Sequence, residues 1–173
     1  MFNIFSKSLV LRFIVIILSI ITLGLTSFAL MIGLYNYNRT ILDLKAKADG
    51  TVELAKIALV DPIWNIDGDA LNNIIRAILL DKDVAGIRVQ ALDNEVLGTQ
   101  MVEQLKEVKF EDLQNNSDYI YIKGGVAKED KEIGYVEILV TTAKAEELIH
   151  FTSAIIVVFS LALIFVMSIV IWL

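Results

Sequence analysis

Two long stretches of the chain carry no charged residue. The first runs from Phe13 to Asn38 and the second from Phe151 to Leu173. A helix of about 20 apolar residues is long enough to cross the hydrocarbon core of a bilayer, which is ~30 Å thick. The sequence therefore predicts two transmembrane helices with a folded segment between them. This prediction constrains the chain more than any other feature.

A cleaved signal peptide is the alternative interpretation of the first stretch. Its apolar part is longer than the ~7 to 15 residues of a signal-peptide core, and Ser27–Ala29 is a poor cleavage site. We therefore predict a cytoplasmic tail at residues 1–8 and a first transmembrane helix at residues 9–35. A central domain at residues 36–149 and a second transmembrane helix at residues 150–173 complete the predicted organisation.

The charges are distributed unevenly along the chain. All 21 acidic residues lie between the apolar stretches, with 13 of the 15 basic ones, so the central segment has a net charge of −8. The tail before the first stretch carries only Lys7 and Arg12. Short basic tails remain in the cytoplasm, so the acidic domain is predicted to lie outside it. An acidic domain without a basic stripe also argues against a nucleic-acid partner.

A helical period precedes a strand period in the middle of the chain. Apolar residues recur at the spacing of one helical face at Leu71, Ile74, Ile75 and Ile78. Pro62 and Gly68 oppose an earlier helix start, and Asp67 or Asp69 is placed to cap this helix. The sequence thus predicts an amphipathic helix from Ala70 to Leu80, separate from the long helix before Pro62.

Strand patterns follow this helix. Alternation through Ile87 and Val89 predicts one strand, and Asp93–Asn94 predicts a turn into a second at Val96. The segment from Met101 to Asn116 has no clear period and is predicted to be irregular, with at most a short helical turn. Two more strands are predicted at Tyr119–Ile122, closed by Gly124–Gly125, and at Ile133–Thr141. The fold class is therefore α+β, with an antiparallel sheet of four to five strands covered by the two helices.

The helix after the first apolar stretch carries a possible packing seam. Small and apolar residues follow steps of three and four at Ile41, Leu44, Ala48, Thr51, Ala55 and Ala58. This spacing is typical of a two-helix seam in a homodimer, and equally of a helix that packs on the sheet of its own chain. In the apolar stretch itself, Ala29 and Gly33 form a small-xxx-small pair that favours a close helix contact.

Few residues suit catalysis or metal binding. The chain has no cysteine, and its one histidine is His150, so no Ser-His-Asp or Cys-His arrangement is available in the domain. Asp67-Gly68-Asp69 lacks the remaining ligands of a calcium loop. We predict no catalytic residue, no metal and no cofactor. His150 is interpreted either as a proton sensor at the membrane interface or as a solvated interfacial residue.

One group of polar side chains suggests a binding pocket. Arg88 lies opposite the apolar face of its predicted strand, and nearby strands and the helix end contribute Tyr119, Tyr121, Tyr135 and Trp64. Together they predict a site for a small extracytoplasmic carboxylate. The alternatives are that Arg88 pairs with an acidic neighbour such as Glu137 and that Trp64 plugs the end of the core.

Several segments together resemble a known family. They are Asp61–Asp67 at the end of the long helix, the helix Ala70–Leu80, the strand and turn from Asp81 to Glu95, and Ile133–Glu137 before the return helix that Thr141 or Thr142 caps. This order is similar to the membrane-anchored extracytoplasmic PAS-like sensor domains, also called PDC or single Cache domains. These domains form the input regions of bacterial histidine kinases, chemoreceptors and diguanylate cyclases.

The resemblance covers the whole region between the apolar stretches and implies a sensory function. It implies a location in the bacterial inner membrane, a homodimer, and a stimulus that is a small ligand or a periplasmic protein, relayed by the second membrane helix. It also implies an output domain, most simply a histidine kinase, beyond Leu173. A stand-alone two-span module that binds a periplasmic partner is the alternative, and the residues present predict no enzyme.

Overall fold

The structure, a computed structural model, describes residues 3–172, with side-chain surroundings for residues 13–163, except residue 15, and for residue 165. The first two residues of the predicted tail and the last residue of the predicted second membrane helix, Leu173, lie outside the described residues. The chain divides into two units. Unit 1 contains the described residues up to Arg39 and those from Ala145, and unit 2 runs from Thr40 to Lys144.

Residues 3–172 form an α+β fold with four α-helices and one four-stranded antiparallel sheet. In chain order the elements are α1 (Asn3–Asn65), α2 (Gly68–Ile78), β1 (Val84–Ala91), β2 (Val96–Met101), a 3-10 turn (Glu103–Leu105), α3 (Phe110–Gln114), β3 (Tyr119–Lys128), β4 (Lys131–Thr141) and α4 (Ala143–Trp172). The strand order across the sheet is β2-β1-β4-β3. The predicted fold class and antiparallel sheet are confirmed, with four strands.

Helix α1 continues through Pro62, where the sequence predicted a break. Pro62 and Ile63 are buried, and this packing offsets the backbone hydrogen bond that proline cannot donate. The helix ends in a Schellman motif, in which the N–H of Asp67 donates to the carbonyl of Pro62 at 2.9 Å and that of Ile66 to Ile63 at 3.3 Å. Ile66 has a φ of 55°. The left-handed residue, rather than the proline, therefore ends α1.

Replacing Ile66 with glycine is expected to raise the free energy of unfolding of unit 2 by about 1 kcal/mol. A left-handed conformation costs a residue with a side chain about 1–2 kcal/mol, and only part of this is offset by the greater freedom of glycine in the unfolded chain. The Ile66 side chain is 86% exposed, so little packing is lost. Native-state hydrogen exchange of peptides from β1 and β4 measures the change.

Leu80→Gly is the matched control for this substitution. Leu80 is 83% exposed and is not among the positive-φ residues of the described chain. Glycine there should leave stability unchanged or lower it. Equal effects of glycine at positions 66 and 80 would show that the backbone at Ile66 is not strained.

Helix α2 begins as its sequence predicts. Asp67 is the N-cap, and its Oδ1 accepts a hydrogen bond from the N–H of Ala70 at 3.0 Å. Leu71 and Ile75 form the buried face of the helix. The predicted helix is confirmed, but it runs from Gly68 to Ile78 rather than from Ala70 to Leu80, so Gly68 does not oppose the helix start.

Two hairpins form the outer parts of the sheet. Between β1 and β2 the predicted turn is confirmed, because Asn94 has a φ of 65° and the N–H of Ala91 donates to Glu95 at 2.9 Å. Between β3 and β4, Glu129 and Asp130 have φ values of 51° and 64°, the pattern of a two-residue turn that suits the strand twist. Strands β1 and β4 then pair with each other at the centre.

Strand β3 runs through Gly124 and Gly125, which were predicted to close it. A Cβ on Gly124 would clash with Cγ1 of Val52 and would lie 3.0 Å from Cδ of Lys56, both on α1. Glycine therefore lets helix α1 approach the strand closely here, a recognised use of glycine inside a strand. The prediction of a strand end was wrong because the same residue type serves for turns and for close backbone approach.

Helices α1 and α2 cover one face of the sheet. The buried core that they share with the strands consists of Leu44, Ala48, Val52, Ala55, Leu59, Ile63, Leu71, Ile75, Val84, Ile87, Val89, Val126, Val136, Ile138 and Val140. The predicted alternation in β4 is confirmed, because Val136, Ile138 and Val140 belong to this core while Leu139 packs in a second cluster. The two predicted covering helices are therefore present.

The predicted seam on α1 packs largely within the chain. Leu44, Ala48 and Ala55 are 4%, 1% and 1% exposed in the core against the sheet. Ile41 and Thr51 are half-buried, and Ala58 is exposed. For the three buried positions this corrects the homodimer interpretation, since those side chains already contact the sheet.

Helices α1 and α4 are each long and apolar enough to cross a membrane, judged by length and composition. No residue in the most apolar window of either helix is buried, and Leu23 and Val158 are 76% and 67% exposed. Several hydroxyl groups in these helices bond within their own helix, as when Thr26 donates to the carbonyl of Thr22 at 2.8 Å. Such internal bonds are what a hydrocarbon environment requires of polar groups.

The predicted small-residue pair of unit 1 lies against α4 of the same chain. A Cβ on Gly33 would lie 3.0 Å from Cγ2 of Thr152. Ala29 shares a hollow with Thr152 and Ile155. The close helix contact predicted from Ala29 and Gly33 is therefore formed within one chain.

Candidate functional site

The face of the sheet opposite α1 and α2 contains two buried charges. Arg88 on β1 and Glu137 on β4 are paired in register and are 6% and 3% exposed. This face is crossed by residues 102–118, which contain the 3-10 turn and α3; we call this segment the strap. Because the strap covers it, β1 is buried on both faces from Val84 to Gln90. A buried ion pair thus lies between the two central strands and the strap.

Glu137 is held by several donors. Nε and Nη2 of Arg88 each lie 2.6 Å from its Oε2. The hydroxyl of Tyr121 donates to Oε1 at 2.9 Å, and Nζ of Lys123 lies 3.4 Å from the same oxygen. Burial and the bond to Glu137 raise the pKa of Tyr121 to about 12, so this hydroxyl keeps its proton and remains a donor at neutral pH. A buried carboxylate with this many partners is a fixed structural charge.

The strap contributes the remaining contacts of Arg88. Nη1 of Arg88 pairs with Glu111, and its Cζ lies 4.4 Å from the centroid of the Phe110 ring. Phe110 and Leu113 are 4% and 6% exposed and pack against the sheet, whereas the side chain of Glu111 is 63% exposed. A hydrogen bond from its own backbone amide and the pair with Arg88 lower the pKa of Glu111. Arg88 therefore joins a fixed buried carboxylate to a solvent-accessible one.

Only part of the predicted pocket comes together in this structure. Arg88 and Tyr121 meet through Glu137, so the alternative prediction of an Arg88–Glu137 pair describes what is found. Tyr119 packs against the apolar cluster under the strap. Tyr135 donates to Glu132 at 3.1 Å and lies beside this group, with its ring centroid 4.3 Å from Nζ of Lys123.

Trp64 lies elsewhere. Both of its predicted roles, in the pocket with Arg88 and as a plug at the end of the core, are wrong. It is 56% exposed at the end of α1, and its ring centroid lies 4.9 Å from Nζ of Lys128. An exposed ring in this position neither plugs the core nor contacts Arg88. The aromatic residue that does stack on Arg88 is Phe110.

Neither Phe110 nor Glu111 was predicted to be a site residue. Their segment was predicted to be irregular, and α3 has only five residues. The available signal was the three-residue spacing of Phe110 and Leu113, which places both on one face of a short helical turn and leaves Glu111 beside them. Only the sheet register, which places Arg88 beneath that turn, identifies the partner of Glu111.

A second charge cluster joins α1 to the turn before β1. Nζ of Lys47 lies 2.7 Å from Oδ1 of Asp81 and 2.6 Å from Oδ2 of Asp83. The bonds to Asp81 and Asp83 raise the pKa of Lys47, and the bond from Lys47 lowers the pKa of Asp81. This cluster joins the turn of α1 that contains Lys47 to the start of the central strand β1.

Unit 2 is expected to lose stability in acid through these carboxylates. Because the pKa values of Asp81 and Glu111 are lowered in the folded state, their contribution is present above the unfolded value of about 4 and is lost as pH falls through the folded values. Thermal unfolding of the purified chain between pH 7 and pH 3 measures the change. Lys47→Met should flatten the dependence of the unfolding temperature on pH, whereas Lys45→Met should not. The same pH dependence in both variants would contradict the assignment to Asp81.

Two open hollows lie near this face and its edge. One of about 260 Å³ has Ala85, Leu105 and Tyr119 among its lining residues, and these three side chains also pack in the cluster under the strap. Another of about 400 Å³ lies at edge strand β2, and its lining includes the cationic side chains Arg76 and Lys106. The first hollow therefore adjoins the apolar cluster under the strap.

A scan against models of known protein families finds no match to this chain, and a search of curated proteins finds none.

Proposed function

We propose that the chain is the sensory input region of a transmembrane signalling receptor of the sensor histidine kinase type. In this proposal unit 2 is a PAS-like domain on the outer side of the bacterial inner membrane, and α1 and α4 cross that membrane. A change in unit 2 reaches the cytoplasm through α4. The two apolar helices support this proposal, as do the basic residues Lys7 and Arg12 that precede the first apolar stretch.

The junction of β4 with α4 is the observation that carries the proposal. A single residue, Thr142, separates the end of β4 from the start of α4. The N–H and the hydroxyl of Thr142 both donate to the carbonyl of Asp118, at the end of the strap, at 2.9 Å. The N–H of Thr141 donates to Asp83 at 2.9 Å, and its hydroxyl accepts from the N–H of Ala143 at 3.2 Å.

These bonds tie the first turn of α4 to the strap and to the turn before β1. Any rearrangement of the strap must therefore break or carry with it the first residues of an uninterrupted helix. A helix that continues from a sheet into a membrane is suited to pass on such a shift, since a packed helix moves as a rigid element. A signalling function needs two states of this junction that differ in affinity for a stimulus.

The relay can be tested by changing the phase of α4. Residues 1–173 are joined to the cytoplasmic kinase region of a characterised sensor kinase, and one to four alanines are inserted after His150. Each insertion rotates the following residues by about 100°, so kinase activity should change with the number inserted and return towards its starting value near a whole turn. Equal activity for all insertions would exclude relay through α4.

The predicted location can be tested with the same cysteine-free chain. Asp93 lies in the exposed turn between β1 and β2. Asp93→Cys should react with a membrane-impermeant maleimide in intact cells, whereas Lys7→Cys should react only after permeabilisation. Labelling of position 93 only after permeabilisation would place the domain in the cytosol and contradict the proposal.

We also assign the homodimer contact to the free face of α1. On the side of the helix turned away from the sheet, unit 2 exposes Ala46, Gly50, Leu54, Ile57 and Trp64, with Leu54 and Ile57 71% and 74% exposed. These positions recur at near-heptad steps, and the small residues allow a second helix to approach closely.

Ile57→Cys should crosslink two chains, whereas Ala55→Cys, which lies in the core, should not. Crosslinking at neither position would remove the dimer from the proposal.

The edge of the sheet favours a second candidate function. The hollow at β2 places Arg76 and Lys106 beside the edge strand, together with Thr99 and Gln100. An edge strand with basic flanks is suited to bind an extended acidic partner outside the cytoplasm.

The coding sequence after Leu173 discriminates between the two candidate functions. A kinase, cyclase or methyl-accepting domain there supports the receptor, and a stop codon supports the partner-binding module.

A further inference from the structure

Strand β2 has peptide groups that point out of the sheet. In residues 3–172, β2 has a sheet neighbour on one side only, which is β1. The N–H of Val102 donates to the carbonyl of Ala85 at 3.0 Å, and every second residue of an antiparallel strand bonds the same neighbour. Gln100 therefore also faces β1, while Thr99 and Met101 direct their N–H and C=O groups away from it. Two donors and two acceptors thus lie along this edge.

Two cations flank the edge from opposite faces of the sheet. Arg76 lies in the last turn of α2, which packs on one face, and Lys106 lies in the strap, which crosses the other. Both line the hollow of about 400 Å³, together with residues 99–101 of β2. Arg76 is exposed and forms no ion pair within the part of the chain that the structure describes.

Lys106 has one acidic neighbour. It pairs with Glu103, three residues earlier in the strap, and the two side chains are 59% and 83% exposed. An exposed pair of this kind contributes little to stability and exchanges readily with another carboxylate. The charges of Arg76 and Lys106 are therefore both accessible to a chain that approaches the edge of β2.

We propose that β2 binds an extended segment of an acidic partner protein as a fifth strand, and that Arg76 and Lys106 together select two consecutive acidic residues of that segment. One carboxylate pairs with Arg76 on the α2 face of the sheet, and the next pairs with Lys106 on the strap face. This inference rests on the second candidate function, for which it names the groups that bind the partner and the acidic pattern that they recognise.

The pleat of the added strand sets the spacing of its acidic residues. Successive side chains of a strand point to opposite faces, so a residue that faces Arg76 is followed by one that faces Lys106. Acidic residues at alternate positions would both lie on one face, with only one of the cations near them. The main chain of the partner bonds the free groups of Thr99 and Met101, which adds affinity that does not depend on side chains.

The charges favour a different protein over a second copy of this chain. Pairing β2 with β2 of another copy would bring four cationic side chains, Arg76 and Lys106 from each copy, to one junction, and like charges that face each other across strands are unfavourable. The hollow is also a local basic site in a central segment whose net charge is −8. An acidic segment of another protein has the charge that complements it.

The test measures binding of fluorescein-labelled peptides to the full chain in phosphatidylcholine nanodiscs by fluorescence anisotropy. The probe is a peptide with blocked ends and the sequence TVEEVT. Its isomer TEVEVT has the same composition and charge but places both glutamates on one face of a strand. At low ionic strength the isomer should bind about fivefold more weakly, because it forms one charge pair fewer.

Variants of the chain test the two cations. R76Q/K106Q should weaken binding of TVEEVT about tenfold or more and should bind the two isomers equally. The matched control is K45Q/K131Q, which removes two exposed positive charges that do not line the hollow. It should leave the affinity for TVEEVT unchanged. The comparison separates the two flanking cations from the net charge of the chain.

Modified peptides test the pairing of main chains. Successive N–H groups of a strand point to opposite edges, so only one of the two glutamate N–H groups of TVEEVT can face β2. An N-methyl group on that glutamate should abolish binding, and one on the other glutamate should have little effect. This comparison leaves the protein unchanged.

Equal affinity of the wild type for TVEEVT and TEVEVT would overturn the inference. So would the same loss of affinity in R76Q/K106Q and K45Q/K131Q, or equal effects of methylation at the two glutamates. No binding of TVEEVT to the wild type would also overturn it, and would indicate that the two cations protect the edge against strand pairing.

These outcomes are separable from the second candidate function itself. Equal binding of the two isomers that R76Q/K106Q abolishes would retain an acidic partner at this edge and reject the recognition of consecutive acidic residues. Binding of neither peptide would reject both the inference and that candidate function. The alanine insertions in α4 test the receptor proposal independently of either result.

Discussion

Arg88→Met is expected to lower the free energy of unfolding of unit 2 by about 3–5 kcal/mol. The substitution leaves the carboxylate of Glu137, 3% exposed, without its main cationic partner. An uncompensated buried charge is among the most destabilising consequences of a single substitution. Lys123, 3.4 Å from Glu137, is 38% exposed at its side chain and replaces only part of the lost interaction. Hydrogen exchange of β1 and β4 peptides in the full chain measures the loss.

The double variant R88M/E137M provides the control. Replacing both charges by apolar side chains removes the buried charge as well as its partner, and such replacements are often close to neutral. Most of the stability lost in Arg88→Met should therefore return. Additive losses in the two single variants and the double variant would show that the two charges do not interact in the folded protein.

Gly124→Ala is expected to destabilise unit 2 by about 3 kcal/mol. The new Cβ would clash with Cγ1 of Val52, which is 3% exposed and cannot move away from the sheet. Val52 is β-branched and held to one preferred rotamer in a helix, so the strain must be taken up by the backbone of α1 or β3. Urea unfolding of the purified chain followed by tyrosine fluorescence measures this effect.

Two further variants test the cause. Gly68 is the exposed first residue of α2 with no atom within 4 Å of an added Cβ, so Gly68→Ala should stabilise the helix by up to about 1 kcal/mol. Val52→Ala removes the methyl group that causes the clash, and in combination with Gly124→Ala it should recover part of the loss. No recovery in the double variant would mean that the approach of α1 to β3 is not the reason for glycine at position 124.

Periodicity predicted most of the fold because each element has one apolar face. The alternation in β4 and the helical spacing from Leu71 to Ile78 correctly indicated which residues enter the core. Of the two predicted interpretations of the α1 seam, intrachain packing holds at Leu44, Ala48 and Ala55; the sequence left both open because apolar steps of three and four describe a buried stripe and do not identify what covers it. A sheet and a second helix require the same spacing.

The candidate site was only partly predictable for a different reason. Arg88 and Glu137 lie on separate strands that are opposite each other in the sheet, and the alternation within each strand allowed their pairing to be considered. Glu111 lies in a segment with no period, and its contact with Arg88 depends on how the strap crosses the sheet. Glycine and proline were misjudged in the same way, since the functions of Gly124 and Pro62 depend on what approaches them from elsewhere in the chain.

The strand order β2-β1-β4-β3 also determines when this domain can fold during synthesis. The two central strands are distant in sequence, and their pairing joins Arg88 to Glu137 across 49 positions. Such non-local pairing is slow to form, and it cannot begin until the last strand has left the ribosome. Until then the apolar strand β1 pairs only with β2. A growing chain that ends before Lys131 therefore exposes an unpaired strand edge that is prone to aggregation. The same chain becomes able to close its core only a few residues before α4 is made.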